Sequence, residues 1–175
     1  MSNLHKVLTN RKTQEQIVLP KPKDAEIEIF DNSLLITEMD INGVITYANR
    51  RFCKVSEYTK EELIGMPYSI TCHPDMPEGL FVALWKIVRA KKIWRGYIKS
   101  LAKSGRYYWT LMYMQAKLDE NREIVGYTAT RRKAYSSARM EAEDKYNERQ
   151  GKAYIDDEYF MRAELFHGDN IATLY

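Results

Sequence analysis

The residue types that could carry out chemistry are concentrated in one stretch, ITCHPDMPEGLFVALWKIV, which runs from Ile70 to Val88. It contains His73, one of only three histidines in the chain, with Cys72 and Asp75 close by. Pro74 disfavours helical backbone at the residue before it, so the direction of the His73 imidazole is restricted. A histidine held in this way could contact a ligand or, as the more ordinary alternative, belong to a rigid loop.

The residues after the histidine predict the start of a helix. Asp75 and Glu78 have capping-box spacing, and Pro77 falls in the first turn, where its missing N–H costs little. Because the free N–H groups of a helix start favour an anion, the cluster fits a cofactor with phosphates and an extended heteroaromatic ring. Spacing alone also suits a capped helix after a stiff loop. Trp85 lies on the apolar face of this helix, where it could be a core residue, a ligand contact, or both.

No sequence pattern of an enzyme accompanies the cluster. The chain has no Gly-rich phosphate loop, no HExxH motif and no nucleophile elbow, so we expect no catalytic activity. The net charge of +3 is small and the lysines are dispersed, which argues against nucleic acid as a partner. Cys53 and Cys72 supply neither a disulfide framework nor a CxxC metal pair.

Hydropathy and cysteine usage predict the location of the protein. The N-terminal residues lack the apolar core of a secretory signal, and no run of 18 or more apolar residues is present. We therefore expect a cytoplasmic protein with no membrane span, which would be associated with a membrane only through a partner.

Local patterns predict the elements that position the cluster. Residues 1–25 are polar and contain LPKPKD, which predicts a tail or linker, most simply a flexible arm. The Asn42-Gly43 pair joins two β-leaning runs and predicts a hairpin with a type I′ turn. Thr59 and Glu62 have capping-box spacing before Gly65, which predicts a helix of one or two turns.

A longer helix and three strands complete the compact part. Apolar residues recur with a 3.6-residue period and predict an amphipathic helix from Met76 to about Lys91. Three strand-like runs follow. Alternate residues of the middle run form two sets, either of which could line a cavity: Tyr107, Trp109, Leu111 and Tyr113, or Tyr108, Thr110, Met112 and Met114. We predict an α+β domain over residues 26–133, with one antiparallel sheet of five strands and short helices on one face.

Residues 134–175 predict a C-terminal helical extension. The first part is charged and rich in helix formers, and Gly151 interrupts it. A second helix is predicted with Asp156 as its N-cap and Gly168 after its end. Its apolar face could pack back on the chain or support self-association, and the residues on that face are Tyr159, Phe160, Ala163 and Phe166.

The order of these pieces, DINGVITYAN, then EYTKEELIGMP, then a helix and three strands, resembles the PAS domain over about residues 26–133. CHPDMPEGLFVALW and the later RRK are similar to the PAS domains of bacterial aerotaxis and energy-taxis receptors, which hold FAD. The chain most resembles the separate soluble PAS protein of bipartite energy-taxis systems. This resemblance implies that five residues line or support a flavin pocket: Asn49, His73, Asp75, Trp85 and Trp94.

Three positions bear on that resemblance. Cys72 stands where the residue before the histidine is usually arginine, a side chain suited to the FAD pyrophosphate. Ser100 stands where asparagine is common. Tyr68 occupies the position of the reactive cysteine in photosensory PAS relatives, so we expect no flavin–cysteine adduct.

Three functional hypotheses follow. The first is a redox and energy-taxis sensor that binds FAD and signals by protein contact to a methyl-accepting chemotaxis transducer. The second is a haem b gas sensor of the same fold, with His73 as axial ligand. The third is an adaptor without a ligand, which associates through its sheet and C-terminal helices, as a homodimer or with another signalling protein.

Overall fold

The computed structural model describes residues 6–153. In chain order its elements are β1 (Val7–Thr9), β2 (Gln16–Val18), β3 (Leu35–Met39), β4 (Ile45–Ala48), α1 (Arg50–Ser56), α2 (Lys60–Leu63), a 3-10 helix (Tyr68–Thr71), α3 (Glu78–Arg89), β5 (Trp94–Leu101), β6 (Tyr107–Leu118), β7 (Ile124–Lys133) and α4 (Ser136–Glu148). None of the helices between residues 6 and 153 is long and apolar enough to cross a bilayer.

The main sheet has five antiparallel strands in the order β4-β3-β7-β6-β5. The first and last strands of the predicted domain are therefore neighbours at its centre, and β5 lies at an edge. On α3, Leu80, Leu84 and Val88 are buried, as the 3.6-residue period predicts. The predicted fold class, a five-stranded antiparallel sheet with short helices and a C-terminal helix, is confirmed.

The turn between β3 and β4 differs from the predicted type I′ turn. Only Gly43, at φ +76°, has the left-handed conformation, whereas a type I′ turn needs it at both central residues. The Asp40 carboxylate accepts hydrogen bonds from the backbone N–H groups of Asn42 (2.8 Å) and Val44 (3.0 Å). A longer turn organised by an aspartate side chain therefore replaces the two-residue turn, while the hairpin itself is present.

One of the two predicted capping boxes is present. Thr59 and Glu62 cap α2 reciprocally, with N···O distances of 3.1 and 2.9 Å. The prediction that Asp75 caps α3 is wrong, because this helix begins at Glu78 with Pro77 as its N-cap and no side-chain cap. The Asp75 carboxylate instead binds Lys99, 24 residues further along the chain.

The two alternating sets of β6 lie on opposite faces of the sheet. Met112 and Met114 line a cavity beneath α3, so their set faces the helices. Trp109, from the other set, stacks on Tyr146 of α4, with ring planes 10° apart. The Tyr146 hydroxyl also donates to the carbonyl oxygen of Tyr97 (2.7 Å). α4 therefore packs on the face of the sheet opposite α3.

The N-terminal segment forms a hairpin of β1 and β2 instead of a free arm. The Asn10 side chain, which is buried, donates to the Ile64 carbonyl oxygen (2.8 Å), and the Arg11 N–H donates to that of Gly65 (2.7 Å). Further on, the Lys23 N–H donates to the Gly105 carbonyl oxygen (2.8 Å). These long-range bonds, which composition does not reveal, hold residues 6–25 against the sheet and helices.

The predicted C-terminal extension is described only in its first part. α4 ends at Glu148, and Gly151 adopts φ +79° shortly after it, in agreement with the predicted interruption. The predicted second helix and its apolar face lie outside the described residues.

Gly65→Ala tests the attachment of the N-terminal hairpin. A Cβ at Gly65 would lie 2.2 Å from the Asn10 Oδ1 atom, whereas one at Gly151 would meet no atom of residues 6–153 within 4 Å, although both glycines have positive φ. We expect the left-handed backbone to cost about 1 kcal/mol at either site. The clash should raise the cost of Gly65→Ala to about 3 kcal/mol.

Urea unfolding of the two variants measures this difference. Gly151→Ala is the matched control, because it carries the same backbone strain without the clash. Equal loss of stability in both variants would contradict the close packing of Asn10 on Gly65.

Candidate functional site

Two cavities adjoin the stretch that carries His73. The larger, here called the outer cavity, has a volume of about 530 Å³. The N-terminal segment forms one wall, and the 3-10 helix and the start of α3 form the other. Its lining residues are Lys6, Leu19, Pro20, Lys21, Pro22, Tyr68, Ser69, Cys72, His73, Pro74, Met76, Glu78, Phe81 and Leu101.

The smaller, here called the inner cavity, lies between α3 and the sheet and has a volume of about 40 Å³. Its lining residues are Met39, Tyr68, Thr71, Cys72, Phe81, Leu84, Trp85, Ile98, Ser100, Met112, Met114, Ala129 and Arg131. A water molecule takes up about 30 Å³ in the liquid, so this space in its present form is far too small for an aromatic cofactor.

Three residues line both cavities and form the partition between them: Tyr68, Cys72 and Phe81. The Tyr68 hydroxyl accepts a hydrogen bond from the Trp85 Nε1–H, at 3.2 Å. The rings of Tyr68 and Trp85 meet edge to face, with centroids 5.3 Å apart. Two of the three residues of the partition are aromatic, Tyr68 and Phe81.

His73 and Asp75 are both held at the wall of the outer cavity. The His73 imidazole is buried, and its Nδ1 atom accepts a hydrogen bond from the Asp75 backbone N–H (3.1 Å). The Asp75 carboxylate accepts from the Lys99 ammonium (2.8 Å), which also lies 4.5 Å from the centre of the Tyr107 ring. The edge strand β5 therefore fixes the loop that carries the histidine.

The environment keeps the histidine neutral. Burial lowers the pKa of His73, and the Lys99 charge lowers it further, while Asp75 acts in the opposite direction. Since Nδ1 accepts a backbone N–H, the neutral ring carries its proton on Nε2. The hydrogen bond from Lys99 holds the pKa of Asp75 below its usual range. At neutral pH the loop therefore carries a neutral imidazole beside a paired carboxylate.

Trp85 and Trp94, both predicted site residues, have different positions. Trp85 lines the inner cavity and makes an edge contact with Tyr127, with centroids 5.0 Å apart. Trp94 is buried and does not border either cavity; it packs on Gly96, where a Cβ would lie 2.4 Å from the ring. The structure therefore brings Trp85, but not Trp94, to a cavity wall.

Asn49 is engaged in structural hydrogen bonds. Its Oδ1 atom accepts from the backbone N–H groups of Phe52 (2.9 Å) and Ile36 (3.1 Å), and its Nδ2 donates to the Leu34 carbonyl oxygen (2.9 Å). It is the N-cap of α1 and borders neither cavity. Any contribution of Asn49 to ligand binding would therefore act through the position of α1 and β3.

Arg131 lines the inner cavity, and sequence reasoning did not assign it there. It belongs to the RRK run at the end of β7, which is more often a solvated strand end. Its guanidinium donates to the Thr37 hydroxyl (3.0 Å) and lies 5.0 Å from the centre of the Phe52 ring. Burial lowers its pKa. Alternation along β7 could have indicated this side chain, because Tyr127 and Ala129 on the same face are buried.

Cys72 also lies at the junction of the cavities. Burial raises the pKa of its thiol to about 11, although the positive charges of Lys6 and Arg131 act to lower it. The thiol is therefore protonated at neutral pH, which makes it a poor nucleophile.

The helix α4 reaches the same loop from the other face of the sheet. The Glu143 carboxylate lies 3.8 Å from the Lys99 ammonium, and the Gln150 side chain donates to the Asp75 carbonyl oxygen. Lys99 thus contacts the loop of the outer cavity and α4 together.

Two substitutions beside His73 should shift its pKa in opposite directions. Lys99→Met removes a neighbouring cation, so the pKa of His73 should rise; Asp75→Asn removes a carboxylate, so it should fall. Titration of the imidazole by NMR measures both shifts. Lys103→Met, which removes a cation paired with Glu62 elsewhere, is the control and should leave His73 unchanged. Shifts in the same direction for the two loop variants would contradict the described geometry.

Comparison with known proteins gives three consistent results. Residues 45–131 match the PAS fold family. The aerotaxis receptor of Escherichia coli (strain K12) is 34% identical over 106 residues, which cover 61% of this chain and 21% of the receptor. The crystal structure of a PAS domain from Colwellia psychrerythraea is 26% identical and superimposes with a TM-score of 0.54, covering 58% of this chain and 86% of that one.

A light-oxygen-voltage domain, from a structural study with a flavin analogue, superimposes with a TM-score of 0.57 at 17% identity. The superposition covers 65% of this chain and 87% of the light-oxygen-voltage chain, and at 17% identity it shows the fold alone. The chain spans about a fifth or less of the length of the curated relatives it matches. Together these similarities identify residues 45–131, which carry most of the lining of the two cavities, as a PAS domain homologous to that of the aerotaxis receptor.

Proposed function

We propose that this protein is a cytoplasmic redox sensor whose PAS domain binds FAD noncovalently and signals by protein contact to a chemotaxis-type transducer. The similarity to an aerotaxis receptor supports the sensory part of this proposal. The single observation that carries the cofactor part is Arg131, a partly buried cation that lines the inner cavity.

Arg131 has no carboxylate partner within the described part of the chain. Among residues 6–153, no carboxylate forms an ion pair with it, and its contacts are the Thr37 hydroxyl and the Phe52 ring. A partly desolvated charge without a counter-charge is unfavourable, whereas charge-assisted hydrogen bonds to a ligand would offset that cost. A flavin ring offers carbonyl and ring-nitrogen acceptors of this kind.

The inner cavity also has the lining that a flat aromatic ring requires. Trp85, Met112 and Met114 provide apolar walls, and the Ser100 side chain provides a hydroxyl. Its volume of about 40 Å³ does not accommodate the ring unless Tyr68 and Phe81 move toward the outer cavity. The outer cavity, at about 530 Å³, is within the range of roughly 300–1,000 Å³ that is usual for ligand pockets, and it would hold the nucleotide part.

The predicted site residues have distinct roles in this proposal. His73 would contact the ligand from the wall of the outer cavity, and Asp75 would hold the histidine loop to Lys99. Trp85 would pack against the ring. Asn49 and Trp94 would support the pocket indirectly, through the start of α1 and the core beneath β5.

A signalling route leads from the same residues. FAD, when bound, supplies a ring whose charge and hydrogen bonding change on reduction. The chain's own response would pass from the His73 loop to Lys99 and from there to Glu143 on α4. A change in the position of α4 on the sheet would then be read by a partner that prefers one arrangement.

A ligand-free interaction module is the second candidate, because the inner cavity is nearly filled by the protein's own side chains. The haem alternative has less support. Iron ligation through Nε2 of His73 is best accompanied by a donating Nδ1–H, whereas Nδ1 here accepts a hydrogen bond from the Asp75 N–H.

Arg131→Met tests the cofactor proposal. We expect purified protein to bind FAD stoichiometrically, with flavin absorption bands that dithionite bleaches, and the variant to bind at least tenfold more weakly. An apolar side chain of similar length fills the same space, so we expect the variant to retain the fold. Arg95→Met, on the outer face of the sheet beside Tyr113, is the matched control and should retain full affinity.

The absorption spectrum separates the alternatives. Protein that remains colourless with added FAD would favour the ligand-free module. A Soret band that disappears in His73→Ala would instead indicate haem.

A further inference from the structure

The wall of the outer cavity formed by residues 6–22 lies outside the part of the chain that matches the PAS fold family, which begins at residue 45. Two of its lining residues are lysines, Lys6 and Lys21. The chemistry of this wall is therefore set by residues outside the matched segment.

The backbone that carries the two lysines is fixed. The Leu19 N–H donates to the Lys6 carbonyl oxygen (2.9 Å), which holds the base of the hairpin together. The Lys21 carbonyl oxygen would lie 2.3 Å from a Cβ at Gly105, so this segment packs directly on the turn between β5 and β6. The side chains of both lysines therefore start from fixed backbone positions beside the cavity.

The charge of the outer cavity favours an anion. Within the described residues, neither Lys6 nor Lys21 forms an ion pair with a carboxylate, and both are exposed to solvent. Glu78 is the one carboxylate among the lining residues, and His73 is neutral at pH 7, so the lining carries two positive charges and one negative charge. Lys6 lines the same cavity as Cys72, a residue of the partition, and its charge acts to lower the pKa of that thiol.

We propose that Lys6 and Lys21 bind the phosphate groups of a ligand whose aromatic ring enters the inner cavity through the partition. The ligand class is a phosphate ester of an aromatic ring system, and FAD is the member that the proposed function names. This inference rests on the proposed function for the ring, but its anion site stands on the lysines and the cavity alone.

Titrations of the full chain with riboflavin, FMN, FAD and ADP test the proposal. Lys6→Gln and Lys21→Gln should each weaken FAD binding about tenfold, the usual scale for loss of one charge-assisted hydrogen bond. Riboflavin has no phosphate, so its affinities for the variants and for the unmodified chain should agree within about twofold. Glu78→Gln should tighten FAD binding, because it removes the opposing charge.

Lys12→Gln is the matched control, since Lys12 is an exposed lysine on the same hairpin that does not line the cavity. It should leave all four affinities unchanged, and thermal unfolding checks that each variant retains the fold.

The results separate this inference from the proposed function. FAD binding that is equally tight in both lysine variants would overturn the inference and leave the proposed function intact. Binding of ADP but of no flavin, lost in the lysine variants, would support the anion site and overturn the proposed function. A chain that binds neither ADP nor any flavin would overturn both.

Discussion

The outer cavity exists because the backbone of the N-terminal segment is held against the PAS core at two glycines. A Cβ would lie 2.2 Å from the Asn10 side chain at Gly65 and 2.3 Å from the Lys21 carbonyl oxygen at Gly105. Both glycines also adopt φ +91°, which other residues rarely do. These contacts fix the distance between the hairpin and the 3-10 helix, and hence the width of the space that lies between them.

Lys99 has a comparable role at the other end of the site. It is almost completely buried on an edge strand, so its charge requires compensation, which comes from the Asp75 carboxylate and the Tyr107 ring. Because Glu143 of α4 lies near the same ammonium, movement of the histidine loop alters the electrostatic environment of that helix. The chain thus contains a continuous set of contacts from the cavity wall to the opposite face of the sheet.

Local sequence patterns predicted what depends on local interactions. The strands, the Thr59–Glu62 capping box and the apolar face of α3 follow from residue periodicity and are present. What failed depends on distant partners: Asp75 does not cap α3 because Lys99 binds its carboxylate, and residues 6–25 are no free arm because Ile64 and Gly105 bind their backbone and side chains. In the same way, Arg131 lines the inner cavity because β7 lies between β3 and β6, which the RRK run does not encode by itself.

The partition between the cavities decides what kind of guest the site can take. Opening it breaks the hydrogen bond from Trp85 to Tyr68, at a net cost of about 1 kcal/mol, and reorients two rings. Burying an aromatic ring system of about 200 Å² would contribute about 5 kcal/mol at 25 cal/mol per Å². Hydrogen bonds from Arg131 to acceptors on the ring would add to that gain. If the proposed function holds, a flat guest with acceptors on its edge gains enough to open the inner cavity, whereas a small apolar molecule gains too little area and offers the arginine no acceptor.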